Sequence, residues 1–136
     1  MIALVNTNDL FTAYVFIEIN TITACGIILA KEGKQSLAAS TRYLVMSLVG
    51  SGLFLIGICI VYGATGHLLM VPIREYVEDG MSSGSVFAVQ VAMALFAVGM
   101  ALKSALWPFH SWLPEAHSSA TASSSAMLSG LVLKAY

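Results

Sequence analysis

The chain has 136 residues, but 58% of them are hydrophobic, only 10% are charged and the mean hydropathy is +0.86. A soluble domain carries about 25% charged residues, so the polar surface that such a domain needs is missing. Six Lys and Arg against seven Asp and Glu leave a net charge of -1, which offers no basic field for a phosphate backbone. The composition therefore predicts an integral membrane protein and argues against a nucleic-acid partner.

Apolar windows long enough to cross a membrane follow one another along the chain. A helix that crosses about 30 Å of hydrocarbon needs about 20 mostly apolar residues. Three complete windows lie at about 10–30, 40–62 and 85–106, and a fourth runs over 121–136. We predict an all-α membrane protein with four transmembrane helices, the last cut off within a helix. The chain is then a piece of a larger protein or one part of a split subunit.

The first window contains one ionisable residue, Glu18. At 1.5 Å per residue it lies about 12 Å from the start of the window, close to the middle of the membrane. A charge at that depth costs at least about 2.5 to 3.5 kcal/mol, so such residues usually face a partner or a water-filled path. Glu18 is therefore a candidate for proton or ion transfer; the alternative is a neutral, hydrogen-bonded packing residue.

The loop that follows the first window is more basic than the next loop. It contains Lys31, Lys34 and Arg42 against Glu32, whereas the next loop contains Arg74 against three acidic residues. Because Lys and Arg favour the cytoplasmic side, the first loop is predicted to be cytoplasmic.

The second window contains several small residues, Gly50, Ser51, Gly52 and Gly57. Small residues let membrane helices approach each other closely. We therefore predict a close helix contact along this window.

The third window contains a lysine near its end and is followed by a segment that contains two prolines. Lys103 lies five residues before Pro108, and Pro114 follows six residues later. Pro108 cannot donate a hydrogen bond to the carbonyl of Ser104, so we predict a helix that breaks near Pro108 and continues over 107–117. Broken membrane helices often mark ion sites in transporters, which makes Lys103 a second candidate. The alternative for Lys103 is a side chain that snorkels to the interface.

Further ionisable residues follow Lys103. Lys134 lies in the fourth window and is either a third buried carrier or a lysine near the opposite membrane face. His110 can relay protons near neutral pH or hydrogen-bond in a loop, and the loop role is favoured for His117. A haem or metal site formed by these two histidines is a weak third hypothesis, because their spacing across Pro114 fits no ligand pattern.

Motifs of self-contained enzymes are missing from the sequence. It contains no Gly-rich phosphate loop, HExxH, CxxC or nucleophile elbow. We therefore expect no cofactor, no metal and no catalytic site within this chain alone. Glu18 and Lys103 can instead form a switch, because low dielectric disfavours a charged lysine and a nearby carboxylate favours it again. A proton released as Glu18 withdraws can pass through water to a neighbouring lysine or histidine.

One long run of residues resembles a known family. Residues 101–117, ALKSALWPFHSWLPEAH, resemble the lysine-containing broken helix of the antiporter-like subunits of respiratory complex I, Mrp-type sodium/proton antiporters and membrane-bound hydrogenases. FIEI around Glu18 is similar to the family's glutamate helix, and SGLVLK up to Lys134 is similar to the helix of its next lysine. YGATG at 62–66 resembles the end of the intervening helix. The likeness covers essentially all 136 residues.

This resemblance implies a function and an architecture. The function would be translocation of protons, or exchange of sodium for protons, in a redox-driven or multisubunit antiporter complex. Glu18 would modulate Lys103, Lys103 would be the central proton carrier, and Lys134 would connect to the next half-channel. Residues 1–136 would form a partial transmembrane domain that supplies four helices of the first of two inverted repeats. The partners would be other membrane subunits, lipid, and protons or sodium ions.

The resemblance also sets an alternative. The family's preceding helices and its second repeat are absent from this sequence, so a complete half-channel with an exit path cannot be built from it alone. The chain could then be a truncated or assembly-only membrane polypeptide. In either case we expect a multi-pass protein of a bacterial or archaeal cell (inner) membrane, and no catalytic redox centre of its own.

Overall fold

The computed structural model describes residues 2–30, 33–80 and 83–132. Within these ranges every regular element is a helix, and an antiparallel bridge joins Asp9 to Leu69. The helices are α1 (Ile2–Asn6), α2 (Leu10–Leu29), α3 (Lys34–Thr65), α4 (Met70–Glu78), α5 (Ser83–Lys103), α6 (Trp112–Ser119) and α7 (Ala122–Met127), which continues as a π-helical turn over Leu128–Val132.

Three of the described helices are long and apolar enough to span a membrane, namely α2, α3 and residues 84–103 of α5. They fall on the first three predicted windows, so the all-helical membrane class is confirmed. The predicted count of four spans remains a prediction. Residues 133–136, which include Lys134, lie outside the described part of the chain.

The helix boundaries differ from the predicted windows in two places. α3 begins at Lys34, in the segment predicted as a loop, because no Gly or Pro interrupts residues 34–49.

α4 occupies the interval between the second and third windows. Its Pro72 lies in the first turn, where a missing N–H has no helical partner, and Arg74 pairs with Glu78 one turn later at 2.7 Å.

Asp9 fixes the start of α2. Its carboxylate accepts hydrogen bonds from the Thr12 hydroxyl at 2.5 Å and from the Thr12 backbone N–H at 2.8 Å. These bonds hold the pKa of the Asp9 carboxyl below its ordinary value, the hydroxyl bond contributing most. The Leu10 N–H also donates to the Leu68 carbonyl at 3.0 Å, which ties the start of α2 to the segment before α4. This cap therefore fixes the residue at which α2 begins.

α3 is the central helix and contacts α2, α5 and α6. It meets α5 at two glycines, because a Cβ on Gly99 would lie 2.7 Å from the Gly50 carbonyl oxygen. Further along α3, Gly57 faces the Phe96 ring, and the Phe54 and Phe96 rings have centroids 4.7 Å apart. The predicted close contact is present at Gly50 and Gly57, whereas Gly52 faces open space.

α5 ends at Lys103 through a local backbone motif. Ala105 has a positive φ of 54°, and the Leu106 N–H donates to the Ala101 carbonyl at 2.9 Å, the six-to-one bond of a Schellman motif. The Trp112 indole N–H caps the Leu102 carbonyl at 3.2 Å. The described helix therefore ends five residues before Pro108, and Pro114 lies in the first turn of α6. A membrane helix broken at Pro108 itself remains a prediction.

The positive φ of Ala105 gives a stability prediction. The left-handed region costs an L-residue about 1 to 2 kcal/mol and costs glycine almost nothing. Ala105→Gly is expected to stabilise the fold by about 0.5 to 1 kcal/mol, because relief of this strain exceeds the freedom that glycine gains in the unfolded chain. The thermal denaturation midpoint of the purified complex measures this effect. Ala97→Gly, within α5, is the control and should lower the midpoint.

Candidate functional site

Lys103 is the most deeply buried charged side chain among the described residues, with 2% of its surface exposed. Its Nζ donates to the Thr21 hydroxyl of α2 at 2.9 Å and to the Ser47 hydroxyl of α3 at 3.1 Å. These two oxygens lie 3.2 Å from each other, and both residues are buried. Three helices therefore meet at one ammonium group, which two neutral oxygens hold.

Glu18 completes the surroundings of Lys103. Its Oε1 lies 3.6 Å from Lys103 Nζ, and 24% of its side chain is exposed, against 1% for the lysine. The distance exceeds the roughly 2.7 to 2.9 Å of a direct charge-assisted hydrogen bond. Oε1 is itself buried and accepts no hydrogen bond from the part of the chain that the structure describes. The carboxylate is therefore close enough to stabilise the ammonium but less tightly held than the hydroxyls.

Local helix geometry places these groups together. Glu18 and Thr21 are three residues apart and share one side of α2. The Thr21 hydroxyl donates to the Ile17 carbonyl at 3.0 Å, which leaves its lone pairs for Lys103. On α3, a Cβ on Gly50 would lie 3.4 Å from Lys103 Cγ, so the glycine makes room for the lysine stem. The site therefore depends on the close contact of α3 with α5.

The structure brings two of the predicted site residues together, Glu18 and Lys103. His110 is exposed in the segment between α5 and α6, and within the described residues no hydrogen bond joins its ring to Lys103. The His117 ring nitrogen Nδ1 lies 2.7 Å from the Ser125 hydroxyl and links α6 to α7. Lys134 falls outside the described residues. The transport roles of these side chains remain predictions.

Two residues of the site were missed by the sequence analysis, Thr21 and Ser47. A signal for them exists, because both are hydroxyl residues inside apolar windows and Thr21 follows Glu18 at helical spacing. Residue type alone does not mark such a ligand, since Thr23 is also a hydroxyl residue in the first window and its hydroxyl bonds to the Ile19 carbonyl of its own helix. In residues 2–30, 33–80 and 83–132, no group of three His, Cys, Asp or Glu side chains is arranged to hold a metal ion.

Sequence comparison identifies relatives over almost the whole chain. Residues 7–135 match the family described as "NADH:quinone oxidoreductase/Mrp antiporter, TM". The chain is 34% identical over 128 residues to NADH-quinone oxidoreductase subunit N of Desulforudis audaxviator, covering 94% of this chain and 25% of that protein. It is 33% identical over 115 residues to a probable K(+)/H(+) antiporter subunit of Rhizobium meliloti, covering 85% of this chain and 21% of that protein.

A solved structure has a similar fold. It is the membrane-bound sulfane sulfur reductase (MBS), an archaeal respiratory membrane complex, one chain of which superimposes with a TM-score of 0.88 at 33% identity. The match covers 98% of this chain and 26% of that one. This chain thus spans about a quarter of the length of the relatives it matches.

Proposed function

This chain belongs to the NADH:quinone oxidoreductase/Mrp antiporter transmembrane family, as its resemblance predicts, and from that premise we propose that it translocates protons, or exchanges them for sodium, across a membrane. It does so as part of an antiporter-like subunit of a redox-driven or multisubunit antiporter complex, with other membrane subunits as partners. The observation that carries the proposal is the Glu18–Lys103 pair, whose lysine is buried where three helices meet. A buried ionisable pair inside a membrane span is costly and is typical of a proton pathway.

The geometry supports a two-position switch. With the Glu18 carboxylate 3.6 Å away, the site stabilises a positive charge on Lys103. When the carboxylate moves away, the hydroxyls of Thr21 and Ser47 still hold the amine but supply no negative charge. The proton then leaves Lys103 for the next acceptor, and the return of Glu18 favours the charged lysine again.

The remaining parts of the pathway follow the family pattern. We assign Lys134 as the next proton carrier and His110, in the segment between α5 and α6, as a relay. Residues 1–136 would form a partial translocating domain with four membrane helices, the third interrupted near Pro108, within a larger bundle of inverted repeats. The loop after α2 would face the cytoplasm.

Glu18→Gln tests this proposal. Glutamine keeps the size and hydrogen-bonding capacity of the side chain but removes the charge that acts on Lys103. We expect turnover to fall about tenfold, which corresponds to about 1.4 kcal/mol in the barrier. The measurement is proton movement into inverted membrane vesicles that carry the whole complex, divided by the amount of assembled complex.

Glu75→Gln is the matched control, because Glu75 is an exposed carboxylate on α4, away from Lys103. It should transport like the unmodified protein. Equal proton turnover in the Glu18→Gln and Glu75→Gln variants would contradict a role for Glu18 in transport. A complex that assembles normally yet moves no protons even with both glutamates intact would point to the assembly-only alternative.

A further inference from the structure

One face of α3 carries a row of buried hydroxyl groups. Ser36, Ser40, Tyr43 and Ser47 are separated by four, three and four residues, so they share one side of the helix. Each is at most 3% exposed. The opposite side of α3 carries exposed apolar residues, among them Val45 and Val49. A buried hydroxyl costs free energy unless it is hydrogen-bonded, and the partners of Ser36, Ser40 and Ser47 lie on other helices. The row is therefore a continuous polar strip between α3 and its neighbours.

The two ends of this hydroxyl face have different surroundings. At one end, the Ser47 hydroxyl accepts from Lys103 Nζ at 3.1 Å. At the other end, the Ser36 hydroxyl donates to the Ser119 carbonyl at 3.1 Å. Ser119 lines an open cavity of about 300 Å³, flanked by the ion pair between Arg42 and Glu115. Since a water molecule occupies about 30 Å³ of liquid, this cavity has room for several.

The spacing along the face suits a chain of hydrogen bonds. The helical rise places Ser36 and Ser47 about 16 Å apart along α3. Side chains three or four residues apart have Cβ atoms about 5 to 6 Å apart, and the hydroxyl oxygen of a serine is bonded to its Cβ, so one water spans two such serines with two hydrogen bonds. The Tyr43 hydroxyl lies at the far end of its ring and extends the strip away from the α3 backbone. Between the ends, the Ser40 hydroxyl lies 2.9 Å from Cys25 Sγ, and the Tyr43 hydroxyl oxygen is buried while its ring packs against Trp112 with centroids 5.0 Å apart.

We propose that the hydroxyl face of α3 (Ser36, Ser40, Tyr43 and Ser47) is the route along which protons pass between the cavity beside Arg42 and Glu115 and the Lys103 site. The inference rests on the proposed function, since it requires Lys103 to bind and release protons. A proton enters from cavity water at the Ser36 oxygen. In each step a hydroxyl turns away from the carbonyl to which it donates, as Ser36 does from Ser119 and Ser40 from Cys25. It then accepts a proton on a lone pair and donates its own proton to the next oxygen, so no hydroxyl changes its net charge. The last donor protonates the neutral amine of Lys103.

Two substitutions test the route with little change in shape. Ser40→Ala removes one oxygen, and Tyr43→Phe removes one oxygen while the ring remains packed against Trp112. We expect each to lower turnover per assembled complex by about tenfold, less than the 100-fold or more typical of a directly acting acid or base, because water can replace one hydroxyl. The assay is proton uptake by vesicles that contain the complete complex.

The chain offers a matched control for each variant. Ser51 is buried on the same side of α3 but lies beyond the Lys103 contact, and its hydroxyl bonds to the Ser47 carbonyl of its own helix at 2.9 Å. Ser51→Ala therefore removes an equivalent buried hydroxyl that is off the route, and it should keep its turnover. Tyr62→Phe, at an exposed tyrosine near the other end of α3, is the control for Tyr43→Phe.

The outcomes separate the route from the proposed function. Turnover per complex that stays at the control level in both variants overturns the route, and so does an effect equal to that of Ser51→Ala, which would reflect packing alone. If Ser40→Ala does not assemble, Tyr43→Phe decides the question by itself. A Lys103 variant that still transports would contradict the proposed function, whereas a loss at Lys103 with none at Ser40 and Tyr43 contradicts only the route.

Discussion

Replacement of Lys103 by methionine is expected to lower proton transport by about 100-fold or more, the contribution typical of a directly acting proton-transfer group. Methionine is unbranched and flexible, so it fills the space of the lysine stem between α3 and α5. The Thr21 and Ser47 hydroxyls, 3.2 Å apart, can then bond to each other. The Glu18 carboxylate keeps its position on α2, where 24% of its side chain is exposed. Assembly of the complex should therefore survive the substitution.

Lys103→Arg distinguishes a proton carrier from a fixed charge. Arginine keeps the positive charge beside Glu18, but its guanidinium does not lose a proton in proteins. If Lys103 must release its proton, the arginine variant loses proton transport to the same extent as the methionine variant. If the site needs only a positive charge, the arginine variant retains activity and the carrier role is wrong.

The assay for both variants is vesicle proton uptake per assembled complex. Lys34→Met is the control, because Lys34 begins α3 at an exposed position. A methionine variant at Lys103 that pumps like the Lys34 control would contradict the mechanism as a whole.

The sequence was sufficient to select Glu18 and Lys103 but not to place them in contact. A single charge within an apolar window is conspicuous whatever the fold, because the membrane makes it costly. The two residues are far apart in the chain, and their 3.6 Å separation depends on how α2 and α5 pack on α3. Thr21 and Ser47 were missed for a related reason. Hydroxyls in membrane helices commonly bond to their own backbone, as Thr41 does to the Leu37 carbonyl, so residue type alone does not mark a ligand.

The spans were predictable and several of their ends were not. Hydropathy locates α2, α3 and α5, because each must be apolar over about 20 residues. The third helix was predicted to end at about residue 106, before a break near Pro108. The described helix ends at Lys103, since Ala105 takes the left-handed conformation that glycine usually supplies and the Trp112 indole caps the Leu102 carbonyl. Nothing in the sequence indicates that this alanine takes the left-handed conformation, since glycine is the residue expected there. The tryptophan cap depends on tertiary packing.

Gly99→Ala is expected to separate α3 from α5 and to impair both stability and transport. The new Cβ would lie 2.7 Å from the Gly50 carbonyl oxygen, a backbone atom that cannot rotate away. Overpacking of this kind lowers the free energy of unfolding by about 1 to 3 kcal/mol, and the higher helix propensity of alanine offsets only about 0.8 to 1 kcal/mol of this loss. Gly99 is one turn from Lys103, so displacement of α5 there also lengthens the 3.1 Å bond to Ser47.

Gly52→Ala is the control that isolates the helix contact. It also replaces a glycine by alanine, but at a position of α3 where the new Cβ meets nothing within 4 Å. The variant therefore has the higher helix propensity of alanine and no steric clash. The measurements are the fraction of complex that stays assembled after heating and the proton turnover of that assembled fraction. Both should fall in the Gly99→Ala variant, whereas in the Gly52→Ala variant both should stay unchanged or rise. If the Gly99→Ala and Gly52→Ala variants changed in stability and turnover to the same extent, α3 and α5 would not be in close contact at Gly50 and Gly99. The position of Lys103 would then need another explanation, because that contact is what brings its ammonium within reach of Ser47.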